Sequence, residues 1–241
     1  RMDYSGKFFP DMQPLNVFVV ALIAMLVCAA FGTVTGFFIA YLNVPPFIAT
    51  LAMMEIVYGI GLIVTNATPL GGYVEQYTNV SNGKVLGINY LIWIAIIVAA
   101  ITWFIFNMTR HGKYMYAIGG NPQAAEVAGV PVKATLILIY MKAAAMYGLA
   151  GFMLGAKAGG ASVNLGYGYE MEAIAACTIG GVSVTGGRGK VSSAIIGVAV
   201  FELLKAALQY LGVDANAQYI AIGIVIFVAI SLDIRKYVAK K

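Results

Sequence analysis

The sequence predicts an all-α fold, a polytopic transmembrane helical bundle of about seven crossings with one broken or re-entrant segment. Three observations predict it: an apolar content too high for water, apolar runs of bilayer length, and basic residues gathered at their edges. Of 241 residues, 61% are hydrophobic and 10% charged, where a soluble domain carries about 25% charged residues. A chain this short cannot hide so many apolar side chains in a single core, so its outer surface is apolar too. The net charge of +5 is spread over several connections. It forms no stripe of the kind that binds nucleic acid and reads as membrane topology. Cys28 and Cys177 stand alone in apolar stretches, without the spacing of a zinc site or a disulfide framework.

A helix that crosses about 30 Å of hydrocarbon needs roughly 20 mainly apolar residues. Residues 15–42, 47–65, 88–106, 134–156, 191–211 and 217–232 meet this requirement or nearly so. Residues 171–187 form a seventh, weaker candidate rich in glycine. Loops with Lys and Arg stay cytoplasmic. The loop 107–133 holds Arg110, Lys113 and Lys133, and the C-terminus holds Arg235, Lys236, Lys240 and Lys241. The less basic connections 73–87 and 212–216 are expected outside. Two cytoplasmic sites must be joined by an even number of crossings, so 171–187 counts as one, which also brings Arg188 and Lys190 inside. The same alternation places the segment 1–14 outside and implies an odd number of helices upstream of it.

In lipid, helices associate by close backbone approach at small residues, and Gly32/Gly36, Gly151/Gly155 and Gly155/Gly159 have the four-residue spacing for it. The stretch GGVSVTGGRG (180–189) has too many glycines for a regular helix. It fits either a break lining a pathway, with Gly180, Gly181 and Ser183 as candidates, or a plain turn between helices. Ionisable residues inside apolar spans are costly and mark function by default. Here they are Glu55, Lys142, Glu170, Glu172, Glu202 and Lys205. Glu202 and Lys205, three apart on one helix, are expected to neutralise each other. Glu170 and Glu172 fit an interfacial position or the translocation path. Tyr73, Tyr77, Tyr90, Trp93, Tyr167 and Tyr169 fall at span boundaries, as an interfacial belt does, and stacking on a sugar ring is the alternative.

Catalytic patterns are missing. The one histidine, His111, lies in the basic loop, away from any serine in a span, and Gly181-Val-Ser183-Val-Thr185 lacks the closing glycine of a nucleophile elbow. Gly189-Lys190 is followed by Val191, and position 184 is valine, so the phosphate-binding loop pattern fails. No metal-ligand cluster is spaced in the sequence. An enzyme is therefore not expected, nor a catalytic, cofactor or metal site. The most informative segment is RHGKYMYAIGGNPQAAEVAGVP (110–131). Asn121 suits an N-cap, Pro122 the first helical position, and Gly129 the left-handed residue after the last turn. A helix of about seven residues, roughly 10 Å long, is implied; it is too short to span and marginal alone, so it gains stability by docking. Ala124, Ala125 and Ala128 favour close insertion into a cleft on a partner, and an ordinary capped connector is the alternative.

That segment resembles the cytoplasmic coupling segment of ABC sugar-importer permeases of the ribose, xylose and galactose group. YLNVPPFIATL (41–51), AIGGNPQAA (117–125) and NLGYGYEMEAIAAC (164–177) extend the likeness, and together look most like the branch importing galactose and methyl-galactoside. The resemblance implies a single transmembrane permease domain over 1–241, part of a multi-helix permease of about ten crossings, three more than the spans counted by length. It further implies two permease copies forming the pathway in the inner membrane, an ABC ATPase subunit that binds the ATP and a periplasmic sugar-binding protein, and the basic C-terminus is expected in the cytoplasm. Gly119, Gly120, Asn121, Ala124, Ala125, Glu126 and Gly129 match the family's coupling segment. Glu55 and Lys142 depart from the apolar or small residues expected there. The expected function is ATP-driven import of a monosaccharide, with an ion-coupled secondary transporter of a small polar solute as the alternative.

Overall fold

The computed structural model describes residues 15–238. The segment 1–14, expected outside, and the terminal Lys240 and Lys241, expected in the cytoplasm, lie outside the described residues. In chain order the elements are α1 (Val17–Leu42), α2 (Pro46–Thr65), β1 (Leu70–Gly71), α3 (Glu75–Asn82), β2 (Lys84–Val85), β3 (Ile88–Asn89) and α4 (Tyr90–Met108). They continue with α5 (Arg110–Gly120), α6 (Pro122–Val127), α7 (Val132–Ala158), β4 (Gly160–Ala161), α8 (Tyr169–Ile179), α9 (Val191–Tyr210) and α10 (Ala215–Val238). Among the described residues five helices, α1, α2, α4, α7 and α9, are long and apolar enough to cross a membrane, and α10 carries a shorter apolar stretch, Asn216–Ser231. The fold is an all-α polytopic bundle. Its outer face is apolar as composition requires, with Phe18, Ile63, Leu203 and Phe227 among many exposed large side chains.

The described residues form two compact units, 15–98 with 131–167, and 99–130 with 168–238. In the first, α1 lies along α7, and glycine permits it. A Cβ on Gly32 would strike the Ala144 side chain and the Tyr140 carbonyl, and one on Gly36 would lie 2.8 Å from the Ile137 Cα. From the other side, a Cβ on Gly148 would lie 2.6 Å from the Ala24 oxygen. Gly32/Gly36 therefore packs helices as its spacing implies. Gly151 meets nothing within 4 Å, Gly155 faces the Tyr73 ring at 3.5 Å, and Gly159 ends α7 at φ 69°. The α7 glycine used against α1 is Gly148, one turn before the expected run. Helix ends follow their residues: the Asn16 side chain caps α1 at the Phe18 amide (2.9 Å), and Asn43 and Asn66 close α1 and α2 in left-handed conformations.

One end of this unit is covered by structure with no strong apolar pattern. β1 pairs antiparallel with β4, Leu70 opposite Ala161 and Gly71 opposite Gly160. The eight-residue α3 lies on α7, where the buried Ser81 hydroxyl donates to the Ala156 carbonyl (3.2 Å). The Tyr77 hydroxyl donates to the Leu15 carbonyl (2.7 Å), and burial pushes the phenols of Tyr73 and Tyr77 up. Tyr58 donates to the Asn164 side chain (3.2 Å).

In the second unit α8 packs between α9 and α10 around Ala175, Ala176, Phe201 and Ile222. Residues 171–187 are not one helix. Helix α8 has 11 residues, about 16 Å or half the hydrocarbon thickness. It ends where Gly181 turns left-handed (φ 84°) and Val182 N–H donates to the Cys177 carbonyl (2.9 Å). Gly180 and Gly197 then bring α8 and α9 into backbone contact. A Cβ on Gly197 would strike the Ala176 oxygen, and one on Gly180 the Ser193 oxygen.

Gly32→Val is expected to lower stability by about 1–3 kcal/mol through overpacking, seen as a reduced unfolding midpoint in detergent. Gly151→Val, with open space around it, is the matched control and should leave the midpoint nearly unchanged. Equal midpoints for the two variants would remove Gly32 from the α1–α7 contact.

Candidate functional site

The basic loop is built as a helix–corner–helix. The Thr109 hydroxyl caps α5 at the Gly112 amide (3.2 Å), and a Cβ on Gly112 would strike the carbonyls of Ile105 and Phe106, so glycine lets α5 fold back against the end of α4. Asn121 then ends α5 and starts α6. Its extended backbone (φ −158°) breaks the helix, and its side-chain oxygen accepts the Ala124 amide (3.0 Å). Pro122 fills the first helical position, where a missing N–H costs nothing. After six residues α6 closes with Gly129 left-handed (φ 81°) and Val130 N–H donating to the Ala125 carbonyl (3.0 Å). The short capped helix forms where the sequence places it. Residues 110–120 are also helical, although three glycines lie among them.

The seven candidate residues divide by direction. Ala125 is 4% exposed, buried within its own unit and not offered to a partner. Gly119 faces the glycine-rich loop: a Cβ there would strike the Gly187 nitrogen and lie 2.9 Å from the Gly187 Cα. Gly120, Ala124, Glu126 and Gly129 are exposed, and a Cβ on Gly120 meets nothing within 4 Å. Beside them Val127 is 91% exposed, a branched apolar side chain standing clear of its unit. Two residues outside the candidate set stand beside it: Val127, and Tyr116, whose hydroxyl donates to the Gly189 carbonyl (2.9 Å). A helical reading of 110–120 would have exposed the second, since Tyr116 and Gly119 are three apart on one face.

The charges in unit two pair differently from expectation. Lys205 Nζ lies 2.8 Å from Glu172 Oε2, joining α9 to the first turn of α8, while the exposed Glu202 makes no direct ion pair among the described residues and acts on Lys205 only at longer range. The Gly180–Gly197 contact makes this possible by bringing the two helices together. Glu170 shares that first turn, where the helix dipole favours acidic side chains. Gly180 packs against α9, Gly181 supplies the left-handed turn, and Ser183 closes its loop through the Thr185 hydroxyl (2.9 Å) and the Arg188 carbonyl (3.1 Å). In the first unit, Glu55 is exposed on α2 and Lys142 partly buried on α7. Neither makes an ion pair among the described residues.

Residues 4–230 match the family described as the permease component of the branched-chain amino acid transport system. The chain belongs to this permease family. It is 41% identical to the galactose/methyl galactoside import permease of Escherichia coli (strain K12), over 100% of this chain and 74% of that protein. The corresponding permease of Haemophilus influenzae (strain ATCC 51907) is 40% identical over the same shares. The ribose import permease of Escherichia coli (strain K12) is 35% identical, over 92% of this chain and 70% of that protein. No solved structure matches. The family is one of transport permeases and not of enzymes, and with its long apolar helices the chain is a multi-pass inner-membrane protein.

Asn121→Ala removes the cap and should cost about 1 kcal/mol locally, read as faster hydrogen exchange at the Ala124 amide by roughly five-fold. An unchanged rate would show that the cap does not hold α6. Glu172→Gln should destabilise the protein more than the double variant Glu172→Gln/Lys205→Met, because the single change leaves a partly buried ammonium without its partner. The comparison is read from unfolding midpoints in detergent.

Proposed function

We propose that the chain is the translocating subunit of an ATP-driven importer of a monosaccharide of the galactose or methyl galactoside kind, with α6 the element held by a partner ATPase. The observation that carries the reading is a six-residue helix, capped at both ends, that leaves Val127 exposed on a basic loop. An apolar side chain so placed on a rigid, short helix suits insertion into a protein cleft, where a few anchors supply most of the binding energy. The positive-inside rule supports a cytoplasmic position for this loop and for the C-terminus, through Arg110, Lys113, Lys133 and Arg235. The 41% and 35% identities to galactose and ribose import permeases support a sugar as cargo.

In this reading the permease binds no cofactor. ATP is bound and hydrolysed by the ATPase subunit, a periplasmic binding protein delivers the sugar, and a second copy of the chain completes the pathway within the lipid. Closure of the ATPases moves α6, and differential contact in the two nucleotide states is what shifts the permease between its inward and outward forms. Gly120, Ala124, Glu126 and Gly129 flank Val127 on the contact face, whereas Gly119 and Ala125 support it from within. Glu170 and Glu172, at the start of the half-length α8, are the candidates for the translocation path.

The test is uptake of labelled galactose by proteoliposomes holding the permease, its ATPase and its binding protein. Val127→Glu should lower uptake by about thirty-fold, the effect of losing an anchor of about 2 kcal/mol, with membrane content unchanged by immunoblot. Gly120→Val should act in the same direction. Wild-type uptake by both variants would remove α6 from the ATPase contact, and uptake driven by an ion gradient without ATP would replace the reading altogether.

A further inference from the structure

We propose that Tyr116, with a glycine clasp formed by Gly119, Gly186 and Gly187, transmits motion of α6 to the α8–α9 hairpin, so that Tyr116 is a positioning residue for transport. The inference rests on the reading of α6 as the ATPase contact and adds the route by which its movement reaches the membrane.

Three contacts tie α5 to the loop before α9. The Tyr116 hydroxyl donates to the Gly189 carbonyl (2.9 Å). A Cβ on Gly119 would lie 2.9 Å from the Gly187 Cα, and reciprocally a Cβ on Gly187 would lie 2.8 Å from the Gly120 nitrogen and 2.9 Å from the Gly119 carbonyl carbon. A Cβ on Gly186 would lie 3.1 Å from the Gly119 oxygen. Gly186, Gly187 and Gly189 also have φ values of 92°, 70° and 146°, a conformation that side chains disfavour. Glycine is thus required here twice, for the shape of the loop and for the closeness of the approach.

The contacts continue in both directions. Tyr116 is wedged by an edge-to-face contact with Phe106 (5.8 Å between centroids), which fixes the phenol against the end of α4. On the far side the loop runs through Lys190 into α9, and α9 is locked to α8 at Gly197 and Gly180. The Lys205–Glu172 pair closes the same two helices nearer the start of α8. From α6 to Glu172, each step is a backbone contact, a capped turn or a short polar bond. Backbone-to-backbone contacts have no rotamers to yield, and close-packed interiors transmit displacement instead of absorbing it. The conformer that α6 adopts under the ATPase is thereby imposed on α8, the half-length helix that carries Glu170 and Glu172.

The experiment uses the assembled importer in proteoliposomes with galactose as probe, comparing wild type, Tyr116→Phe, Gly187→Ala and Val127→Glu. Tyr116→Phe should retain ATPase association and ATP hydrolysis while galactose imported per ATP falls roughly three- to ten-fold, the change expected for loss of one neutral hydrogen bond. Gly187→Ala should act in the same direction. An unchanged sugar-to-ATP ratio in Tyr116→Phe, even with a lowered unfolding midpoint, would reduce the clasp to a merely structural contact. A second measurement places spin labels at Gln123 and Lys190 in a background where Cys28 and Cys177 are replaced by alanine. Their separation should stay constant between the nucleotide-free and vanadate-trapped states, and a change beyond about 5 Å, one helical turn, would overturn the proposal. If Val127→Glu leaves ATPase association and uptake intact, the ATPase-contact reading itself fails. If it abolishes association while Tyr116→Phe transports normally, the clasp alone fails.

Discussion

Apolar side chains gain nothing by leaving lipid for protein, so a bundle in a bilayer must be held by what lipid cannot supply: dense van der Waals contact, backbone polar groups satisfied inside the chain, and rare polar pairs. Dense contact between helices requires their backbones to approach, and only glycine or a similarly small residue allows that. Each unit of this protein depends on such approaches. Gly32, Gly36 and Gly148 bring α1 onto α7, and Gly180 and Gly197 bring α8 onto α9. Large apolar side chains meanwhile cover the outside, where the surrounding hydrocarbon is an equivalent partner for them.

The same constraint shapes the loop end of the second unit. Where Gly119 meets Gly186 and Gly187, α5 and the loop between α8 and α9 share one backbone contact. The capped α6 is held beside it by Ala125 on the inside and presents Val127 on the outside. A helix of six residues has too few hydrogen bonds of its own to persist. Its rigidity comes from Asn121 and Gly129 at its ends and from the α5 scaffold that carries it. The Glu172–Lys205 pair follows from the same packing: once glycine has drawn α8 against α9, a lysine in α9 reaches a carboxylate one helix away, in an environment that would penalise either charge alone.

The residues show why some of this could be read in advance and some could not. Apolar runs of bilayer length set the positions of α1, α2, α4, α7 and α9, and a shorter run that of α10, because hydropathy is a local property that lipid rewards residue by residue. The caps of α6 were equally readable, since Asn121, Pro122 and Gly129 act within one turn of their own positions. The pairing of Lys205 with Glu172 instead of Glu202 was not, because a helix-face rule sees only neighbours along one chain segment. Likewise Gly148, not Gly151, packs against α1: spacing gives the helix faces that can be close-packed, but not which of them has another helix beside it. Helix α5 was hidden by glycines whose helical cost is offset by contacts with Ile105, Phe106 and Gly187 that lie elsewhere in the sequence.

Composition and the length of the apolar runs alone determined that this is an all-helical membrane protein, and local chemistry alone determined where its short helix α6 starts and stops. Its membership in a sugar-permease lineage was legible in motifs spread along the chain. Only the tertiary structure decided which glycines act, which carboxylate neutralises Lys205, and that Ala125 turns inward while Val127 faces out. The physical reason is range: hydropathy and capping act over a few residues, whereas backbone approach and ion pairing depend on which distant segments the fold brings within about 4 Å of one another.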